Sequence, residues 1–144
     1  IMGLDNPENK MSKSAASAKN YISLMDDEAT VLKKIKSAVT DSGETIEYDA
    51  SRKGLANLMT IYSLVTGQSY EQIEKTYKGK GYGDFKNDLA AHVSVFLSPM
   101  QEKINAYLAD EAGLIKILED GAAKAQAIAE KKMVEVRKKI GVTL

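Results

Sequence analysis

The segment KGLANLMTIYSLVT, residues 53–66, is the most informative part of the chain for its architecture. Polar residues occupy only a narrow line along it, at Asn57, Thr60 and Ser63. A helix that is apolar around most of its circumference is covered by its neighbours, so the pattern predicts a central, mostly buried helix. Its apolar positions are Leu55, Ala56, Leu58, Met59, Ile61, Tyr62, Leu64 and Val65.

Capping residues follow this helix directly. Gly67 suits a left-handed C-cap, and Ser69 with Gln72 has the spacing of a capping box for a short helix that reaches about Lys78. Because the connection is so short, we expect these two helices to pack as a hairpin.

The preceding helix is predicted from about Glu28 to Thr40, with Asp26 or Asp27 as its cap. Its lysines lie largely off the apolar stripe and predict a cationic face toward solvent. The stripe consists of Val31, Leu32, Ile35, Ala38 and Val39, and the lysines are Lys33, Lys34 and Lys36.

A glycine-rich segment, residues 79–83, leads into the next helix. It predicts a hinge and not a phosphate-cradling loop, because no strand precedes it and Asp84 stands where a dinucleotide fingerprint requires glycine. His92 lies at the edge of the following apolar stripe, which favours a packed over a catalytic role. Pro99 predicts a kink or a fresh helix start. The stripe consists of Phe85, Leu89, Val93, Phe96, Met100, Ile104, Tyr107 and Leu108.

Two further helices are predicted at residues 111–119 and 122–140, separated near Gly121 and stopped by Gly141. With no internal repeat and no pair of alternating strands, the chain is predicted to be all-α, a helical bundle of about five to seven helices. The last helix is expected to turn inward Ala125, Ile128, Ala129, Met133, Val136 and Ile140.

The composition excludes several classes of function. The chain carries 20 Lys+Arg against 20 Asp+Glu, which excludes a bulk polycation. The absence of cysteine excludes thiolate catalysis and thiolate-bound metal, and a single histidine excludes a cluster of imidazole ligands. No apolar run approaches the roughly 20 residues that span a bilayer, and no leader peptide is recognisable, so we expect a cytoplasmic protein without membrane contact.

Residues 10–14 read KMSKS, the second signature of the class I aminoacyl-tRNA synthetases. Three later segments agree with it: KIKSAVTDS at 34–42, GLANLMTIY at 54–62 and GKGYGDFK at 79–86. Together these blocks make most of the chain resemble the C-terminal part of the bacterial tryptophanyl-tRNA synthetases, beginning just before the KMSKS loop.

The resemblance implies a division into residues 1–25, the C-terminal edge of a Rossmann catalytic domain, and residues 26–144, an α-helical anticodon-binding domain. For the full-length protein it implies ATP-dependent activation of tryptophan to the adenylate and transfer to tRNA(Trp), with Mg²⁺ on the ATP phosphates. Family members are homodimers through the Rossmann portion. We expect the 144 residues alone to be monomeric, inactive and without bound ATP or tryptophan.

By the same resemblance Lys10 and Lys13 are the catalytic residues, with Lys13 at the pyrophosphate leaving group and Lys10 assisting. Met11, Ser12 and Ser14 complete the ATP-binding loop, Met11 through a backbone contact to the adenine. An ammonium group placed where negative charge accumulates stabilises the transition state more than bound substrate, which raises the rate. One such charge pair at about 4 Å is worth about 1 kcal/mol in bulk water and about 4 kcal/mol at an effective dielectric of 20.

Residues 1–25, called the leader below, depart from the family pattern after the signature. Many members continue with Asp and Pro, whereas Ala15-Ala16-Ser17-Ala18 follows here, which leaves the mobility of the loop open. Because residues 1–25 would lack the packing partners of a catalytic domain, we expect them to be mobile or held by lattice contacts.

RNA contact by a chain of zero net charge requires cations gathered on one face. Two patches are candidates, one near the start of the helical body and one at its C-terminal end. Tyr77 and Tyr82 could stack unpaired bases, although a hinge or core role is favoured. The first patch combines Lys33, Lys34, Lys36, Arg52 and Lys53, and the second Lys131, Lys132, Arg137, Lys138 and Lys139.

Two alternatives stay open at this point. One is a tyrosine-type synthetase of the same class, which usually carries a divergent signature and another C-terminal module. The other is a free-standing all-α interaction module in which the KMSKS match is accidental. The residues upstream of Ile1 would discriminate between them.

Overall fold

The computed structural model describes residues 1–142, and within them the regular elements are five helices and no strand. The prediction of an all-α fold with five to seven helices is confirmed. Positions 143 and 144, the end of the predicted helical domain, lie outside the described residues. The helices are α1 Glu28–Lys36, α2 Lys53–Thr66, α3 Tyr70–Thr76, α4 Tyr82–Ala109 and α5 Glu111–Ile140.

The chain divides into two compact units, Ile1–Gln101 and the residues from Glu102 onward. The first unit contains α1 to α3, most of α4 and the hydrophobic core. The second consists of the end of α4 and α5. The predicted functional boundary between residues 25 and 26 does not coincide with this division and stays a prediction.

The core of the first unit is built around α2, which has the predicted bounds and is buried over most of its length, although Leu64 near its end is 67% exposed. Leu55, Leu58 and Met59 are at most 1% exposed. Gly67 ends the helix at a φ of 74°, the left-handed conformation that glycine adopts without steric cost.

Aromatic rings fill the centre of this core. The rings of Tyr77 and Phe85 meet edge to face with centroids 5.1 Å apart, and Phe85 stacks on Tyr62 at 5.7 Å. His92 is exposed at the surface of α4, but its ring packs edge-on against Tyr62 at 5.1 Å. The ring contact agrees with the packed role expected for His92, whereas the expected burial is wrong.

α3 packs against α2, as the short connection predicts. Its capping box is complete: the Gln72 N–H donates to Ser69 Oγ at 3.4 Å, and the Ser69 N–H donates to Gln72 Oε1 at 2.8 Å. The helix ends at Thr76, slightly before the predicted end near Lys78.

α4 runs without a break from Tyr82 to Ala109, so the predicted fresh start at Pro99 is wrong. Contacts on both sides of the proline favour the helical path. Leu97 is buried before it, and after it Gln101 Nε2 donates to the main-chain carbonyls of Leu24 and Asp26, both at 2.9 Å. The stripe of α4 is buried at Phe85, Leu89 and Val93, whereas Phe96 is 44% exposed.

We expect Ser69→Ala to lower the free energy of unfolding by about 1 kcal/mol, because the main-chain N–H of Gln72 loses the hydroxyl that accepts its hydrogen bond. Ser98→Ala is the matched control. Ser98 precedes Pro99 in the order typical of an N-cap, but it lies inside α4, so its loss should be neutral or slightly stabilising. Urea denaturation of both variants measures this, and equal destabilisation by the two would contradict the assignment of the helix starts.

α1 ends at Lys36 and not at the predicted residue 40. The buried side chain of Lys86 explains the early end. Its Nζ lies 2.8 Å from the carbonyl oxygen of Ala38 and 3.4 Å from that of Lys36. The ammonium group thus donates to carbonyl groups that main-chain N–H groups would have bonded if the helix had continued. Burial lowers the pKa of Lys86.

α5 is one continuous helix from Glu111 to Ile140, so the predicted break near Gly121 is wrong. No residue of α5 is buried, and the predicted inward positions Ile128 and Met133 are 73% and 42% exposed. An apolar stripe is buried only where another element covers it, and residues 102–109 of the same unit are too few to cover a helix of 30 residues. Gly141 ends α5 as predicted, with φ at 75°.

Candidate functional site

The leader that carries the signature packs against the helical body. Leu4 is 2% exposed, and its carbonyl accepts a hydrogen bond from the N–H of Val39 at 2.8 Å. Asn57 of α2 bonds both main-chain groups of Met2, accepting from its N–H at 2.8 Å and donating to its carbonyl at 2.9 Å. The expectation that residues 1–25 lack packing partners is therefore wrong for the segment around Met2 and Leu4, because the helical body supplies them.

Two short extended segments form the stem of the signature loop. Met2 and Lys10 pair as an antiparallel bridge, flanked by a hydrogen bond from the Met11 N–H to the carbonyl of Ile1 at 3.2 Å. Met11 is half-buried and packs against the core. The methionine thus anchors the signature while the residues after it leave the stem.

The signature then closes a tight turn. The carbonyl of Ser12 accepts from the Ala15 N–H at 3.2 Å, which places Lys13 and Ser14 at the two central positions. The Ser12 hydroxyl lies 3.0 Å from the Ser14 hydroxyl and 3.3 Å from the Ser14 N–H. Two serines therefore shape the loop, and Lys13 stands at its tip.

Lys10 and Lys13 are both exposed, and neither makes an ion pair within residues 1–142. The loop thus offers two unpaired ammonium groups and two hydroxyls close together in sequence, a donor set that suits phosphate oxygens. It contains no carboxylate, and the described part of the chain holds no group of three or more potential metal ligands. A magnesium ion at this loop would therefore be carried by the phosphates.

Sequence reasoning missed Asn20, which lies behind the signature turn. Its side chain is buried and accepts from the Ser12 N–H at 2.9 Å. An asparagine in a Ser-, Lys- and Ala-rich leader has no pattern that distinguishes it from a solvated linker residue. Asn57 was expected only as part of the polar line of α2, and its bond to Met2 joins residues 55 positions apart in sequence.

The first predicted cationic patch is largely neutralised by ion pairs. Carboxylates pair with three of its members, which leaves only Lys33 and Lys36 of that patch exposed and unpaired within the described residues. The pairs are Lys34–Asp26 at 2.6 Å, Arg52–Asp41 at 2.8 Å and Lys53–Glu8 at 2.6 Å. The cations of the second patch lie on α5, where Lys132 pairs with Glu135 at 2.9 Å.

The two candidate stacking tyrosines have structural roles, as favoured from the sequence. Tyr77 is 1% exposed, and this burial raises the pKa of its hydroxyl. The hydroxyl lies within hydrogen-bond distance of the Tyr62 hydroxyl and of the Asp88 carboxylate. The Tyr82 hydroxyl, at the start of α4, contacts Asp41 and Arg52. The buried ring of Tyr77 is therefore not free to stack a base, and the ring of Tyr82 is half-buried against the core.

The pair of Asp41 and Arg52 closes the connection between α1 and α2. The carboxylate accepts from Arg52 Nε at 2.8 Å and from the Gly43 N–H at 2.7 Å, and these bonds hold the pKa of Asp41 well below its usual range. Arg52 also donates to the carbonyl of Thr45 at 3.0 Å. A single guanidinium group thus holds Asp41 and the main chain at Thr45 in place within this connection.

A lowered pKa in the folded state means that the stabilisation by Asp41 is complete above its unfolded value of 3.8 and is lost as the pH falls below it. We expect Asp41→Asn to lower the free energy of unfolding at pH 7 and the gap to the wild type to narrow toward pH 3. Urea denaturation at both pH values measures the gap, with the exposed Glu44→Gln as control. A gap that is the same at both pH values would show that the charge is irrelevant.

A cavity of about 940 Å³ lies in the same unit, between the connection after α1 and the hinge before α4. Its lining mixes the two charge signs, with Lys75, Lys78 and Lys80 among Glu44, Glu47, Glu71 and Glu74. Such a wall favours neither an anion nor a cation, so the signature loop remains the candidate site.

Comparison with known proteins gives a consistent result. The family described as tRNA synthetases class I (W and Y) matches residues 1–98. The chain is 50% identical over 143 residues to a tryptophan--tRNA ligase of Listeria monocytogenes and 46% identical to one of Enterococcus faecalis. In both cases 99% of this chain is covered.

Solved structures agree with the sequence relatives. A tryptophanyl-tRNA synthetase of Mycoplasma pneumoniae superposes with a TM-score of 0.81 at 28% identity, over 99% of this chain and 44% of that one. One from Campylobacter jejuni, complexed with ADP and tryptophan, superposes with a TM-score of 0.75 at 34% identity, over 98% of this chain and 43% of that one. The chain spans 43% and 42% of the Listeria and Enterococcus proteins.

In the part of the chain that the structure describes, no helix has both the length and the apolar character needed to cross a bilayer.

Proposed function

Because the chain belongs to the class I tRNA synthetases of the tryptophan and tyrosine type, we propose that it is the C-terminal part of a tryptophan--tRNA ligase. The observation that carries the proposal is the exposed KMSKS turn, whose two lysines make no ion pair within residues 1–142, in a chain half identical to a named tryptophan--tRNA ligase. The identities of 50% and 46% to tryptophan enzymes favour tryptophan over tyrosine as the amino acid. The family match leaves no support for an accidental signature in a free-standing module.

The reaction to which the loop contributes is the activation step. A carboxylate oxygen of tryptophan attacks the α-phosphorus of ATP, a new P–O bond forms, and the bond to the bridging oxygen breaks as pyrophosphate leaves. Negative charge grows on the departing oxygens during this step. Lys13, at the tip of the turn, supplies a positive charge to them, and Lys10 supplies a second from the stem.

The hydroxyls and main-chain groups of the turn position the nucleotide. Ser12 and Ser14 are tied to each other, so the turn keeps its shape while the lysine side chains follow the phosphates. Met11 lies against the core and holds the main chain that contacts the adenine. Mg²⁺ bound to the phosphates shares the neutralisation of their charge.

The second step transfers tryptophan from the adenylate to tRNA(Trp), and the helical body contacts that tRNA. The exposed cations of α5 and the exposed Lys33 and Lys36 of α1 are the charges available for phosphate groups. The ligase acts as a homodimer in the cytoplasm, with the amino-acid pocket outside these 144 residues.

Charging of tRNA tests the proposal. We expect the full-length protein that contains this segment to attach tryptophan to a tRNA(Trp) transcript in the presence of ATP and magnesium, and not to attach tyrosine to tRNA(Tyr). The 144-residue chain alone should charge neither and should show no heat of binding with ATP or tryptophan. Charging of tRNA(Tyr) by the full-length protein would replace the tryptophan assignment with the tyrosine one.

A further inference from the structure

Asn20 is a buried polar residue in a leader whose neighbouring residues are mostly exposed, with 5% of its surface accessible. Burial of an amide is costly unless each polar atom finds a partner, and every polar group of Asn20 does. Its Oδ1 accepts from the Ser12 N–H at 2.9 Å, and its Nδ2 donates to Asp5 Oδ1 at 2.7 Å. Its main-chain carbonyl accepts from Leu4 at 2.9 Å, and its N–H donates to Ser17 at 3.1 Å.

The chemistry of the two partners fixes the orientation of this amide. A main-chain N–H can only donate and an ionised carboxylate can only accept, so the oxygen of Asn20 must face Ser12 and its nitrogen must face Asp5. Gly3 lies directly against the side-chain amide of Asn20. A Cβ atom at Gly3 would lie 2.1 Å from Asn20 Nδ2, so the amide occupies the space that any larger residue would need.

Ser12 lies between the two lysines of the signature, and its N–H is held by a side chain outside the signature. Fixing this main-chain group fixes where the chain leaves the stem after Lys10 and where it enters the turn that carries Lys13. Positions of charged groups matter here, because a displacement of about 1 Å at a reacting centre costs up to roughly 100-fold in rate.

We propose that Asn20 is a positioning residue for the signature loop, holding Ser12 through its amide and thereby placing Lys10 and Lys13 for pyrophosphate departure. The inference rests on the proposed function and deepens it. Asn20 contacts neither substrate, and its effect reaches the reaction only through the loop.

The first test is Asn20→Ala in the full-length protein, assayed by tryptophan-dependent pyrophosphate exchange. We expect kcat/KM for ATP to fall by roughly 10- to 100-fold, because the Ser12 N–H loses the side-chain oxygen that holds the loop in position. The KM for tryptophan should stay within about twofold, since the loop acts on ATP and not on the amino acid. Lys19→Ala, an exposed neighbour, is the matched control and should retain the wild-type rate.

An exchange of the two hydrogen-bonding groups separates positioning from general damage. Asn20→Asp keeps an acceptor for Ser12 but sets two carboxylates against each other, so it should be slow. The double variant Asp5→Asn/Asn20→Asp restores a donor and an acceptor between the two positions and should recover most of the wild-type rate. This pair of variants decides the matter even if Asn20→Ala fails to fold, and a double variant no faster than Asn20→Asp would overturn the proposal.

Combination with Lys13→Ala gives a second readout that a merely structural role would not move. If Asn20 acts through the lysine, Asn20→Ala should slow the Lys13→Ala protein much less than it slows the wild type. Amide hydrogen exchange of a peptide covering residues 10–16 should also speed up in Asn20→Ala. Independent, multiplicative effects on the rate would refute the coupling.

These outcomes distinguish the inference from its premise. A wild-type full-length protein without tryptophan-dependent exchange contradicts the proposed function itself. A fully active wild type whose Asn20→Ala variant is equally active contradicts only the positioning role.

Discussion

Lys13→Ala in the full-length protein is expected to slow tryptophan-dependent pyrophosphate exchange by roughly 10²- to 10³-fold, the usual effect of deleting one preorganised donor. That range corresponds to about 2.7–4 kcal/mol of transition-state stabilisation. The physical reason is that the Lys13 ammonium stands at the tip of the turn, has no ion-pair partner in the described part of the chain, and meets charge that develops only as pyrophosphate departs. The loss should therefore appear in kcat more than in KM for ATP.

Two controls make this result specific. Lys19→Ala removes an exposed lysine from the same leader and should leave the rate unchanged. Lys13→Arg keeps the charge but replaces a compact ammonium with a planar fork, so it should be intermediate. A near-normal rate for Lys13→Ala would refute the role assigned to this lysine.

The second large effect is expected in the core. Phe85→Ala should lower the free energy of unfolding by about 3–5 kcal/mol, because Phe85 is fully buried and packs on both Tyr62 and Tyr77. Since a domain of this kind is stable by only about 5–15 kcal/mol, the variant should be close to unfolding. Urea denaturation measures the shift of the midpoint.

Phe96→Ala is the matched control for the core. It deletes the same side chain from the same helix, but Phe96 is 44% exposed, so the loss should be below about 1.5 kcal/mol. Equal midpoints for the Phe85 and Phe96 variants would contradict the placement of the core.

Local signals in the sequence predicted the elements whose structure is set locally. The bounds of α2, its glycine C-cap and the capping box of α3 follow from apolar spacing and from residues within one turn of each helix end. The same applies to the end of α5 at Gly141. These features depend on interactions between neighbours in sequence, which a reader of the sequence can see.

Errors arose where distant residues determine the outcome. The early end of α1 depends on Lys86, some fifty positions away, and the ordered stem depends on Asn57 at a similar distance. The cationic patch was overestimated because carboxylates pair with three of its members. Of these carboxylates only Glu8 is distant in sequence from its partner, Lys53. Pro99 usually interrupts a helix, but packing of the residues on both sides of it keeps α4 continuous.

In the candidate site, too, the locally encoded residues were predictable from the sequence and their supporting contacts were not. The residues of the signature could be named from the sequence, because the motif itself specifies lysines and serines at fixed spacing. The residues that support the signature could not be named from the sequence. Asn20 and Asn57 hold the loop and its stem through hydrogen bonds to main-chain atoms, and such bonds leave no pattern in the sequence.

The most direct measurement of the central claim is pyrophosphate exchange by the wild-type full-length protein, with tryptophan and then tyrosine as the only amino acid. The account predicts exchange of label between pyrophosphate and ATP that requires tryptophan and magnesium. Exchange supported by tyrosine alone, or no exchange with either amino acid by a folded protein, would contradict it.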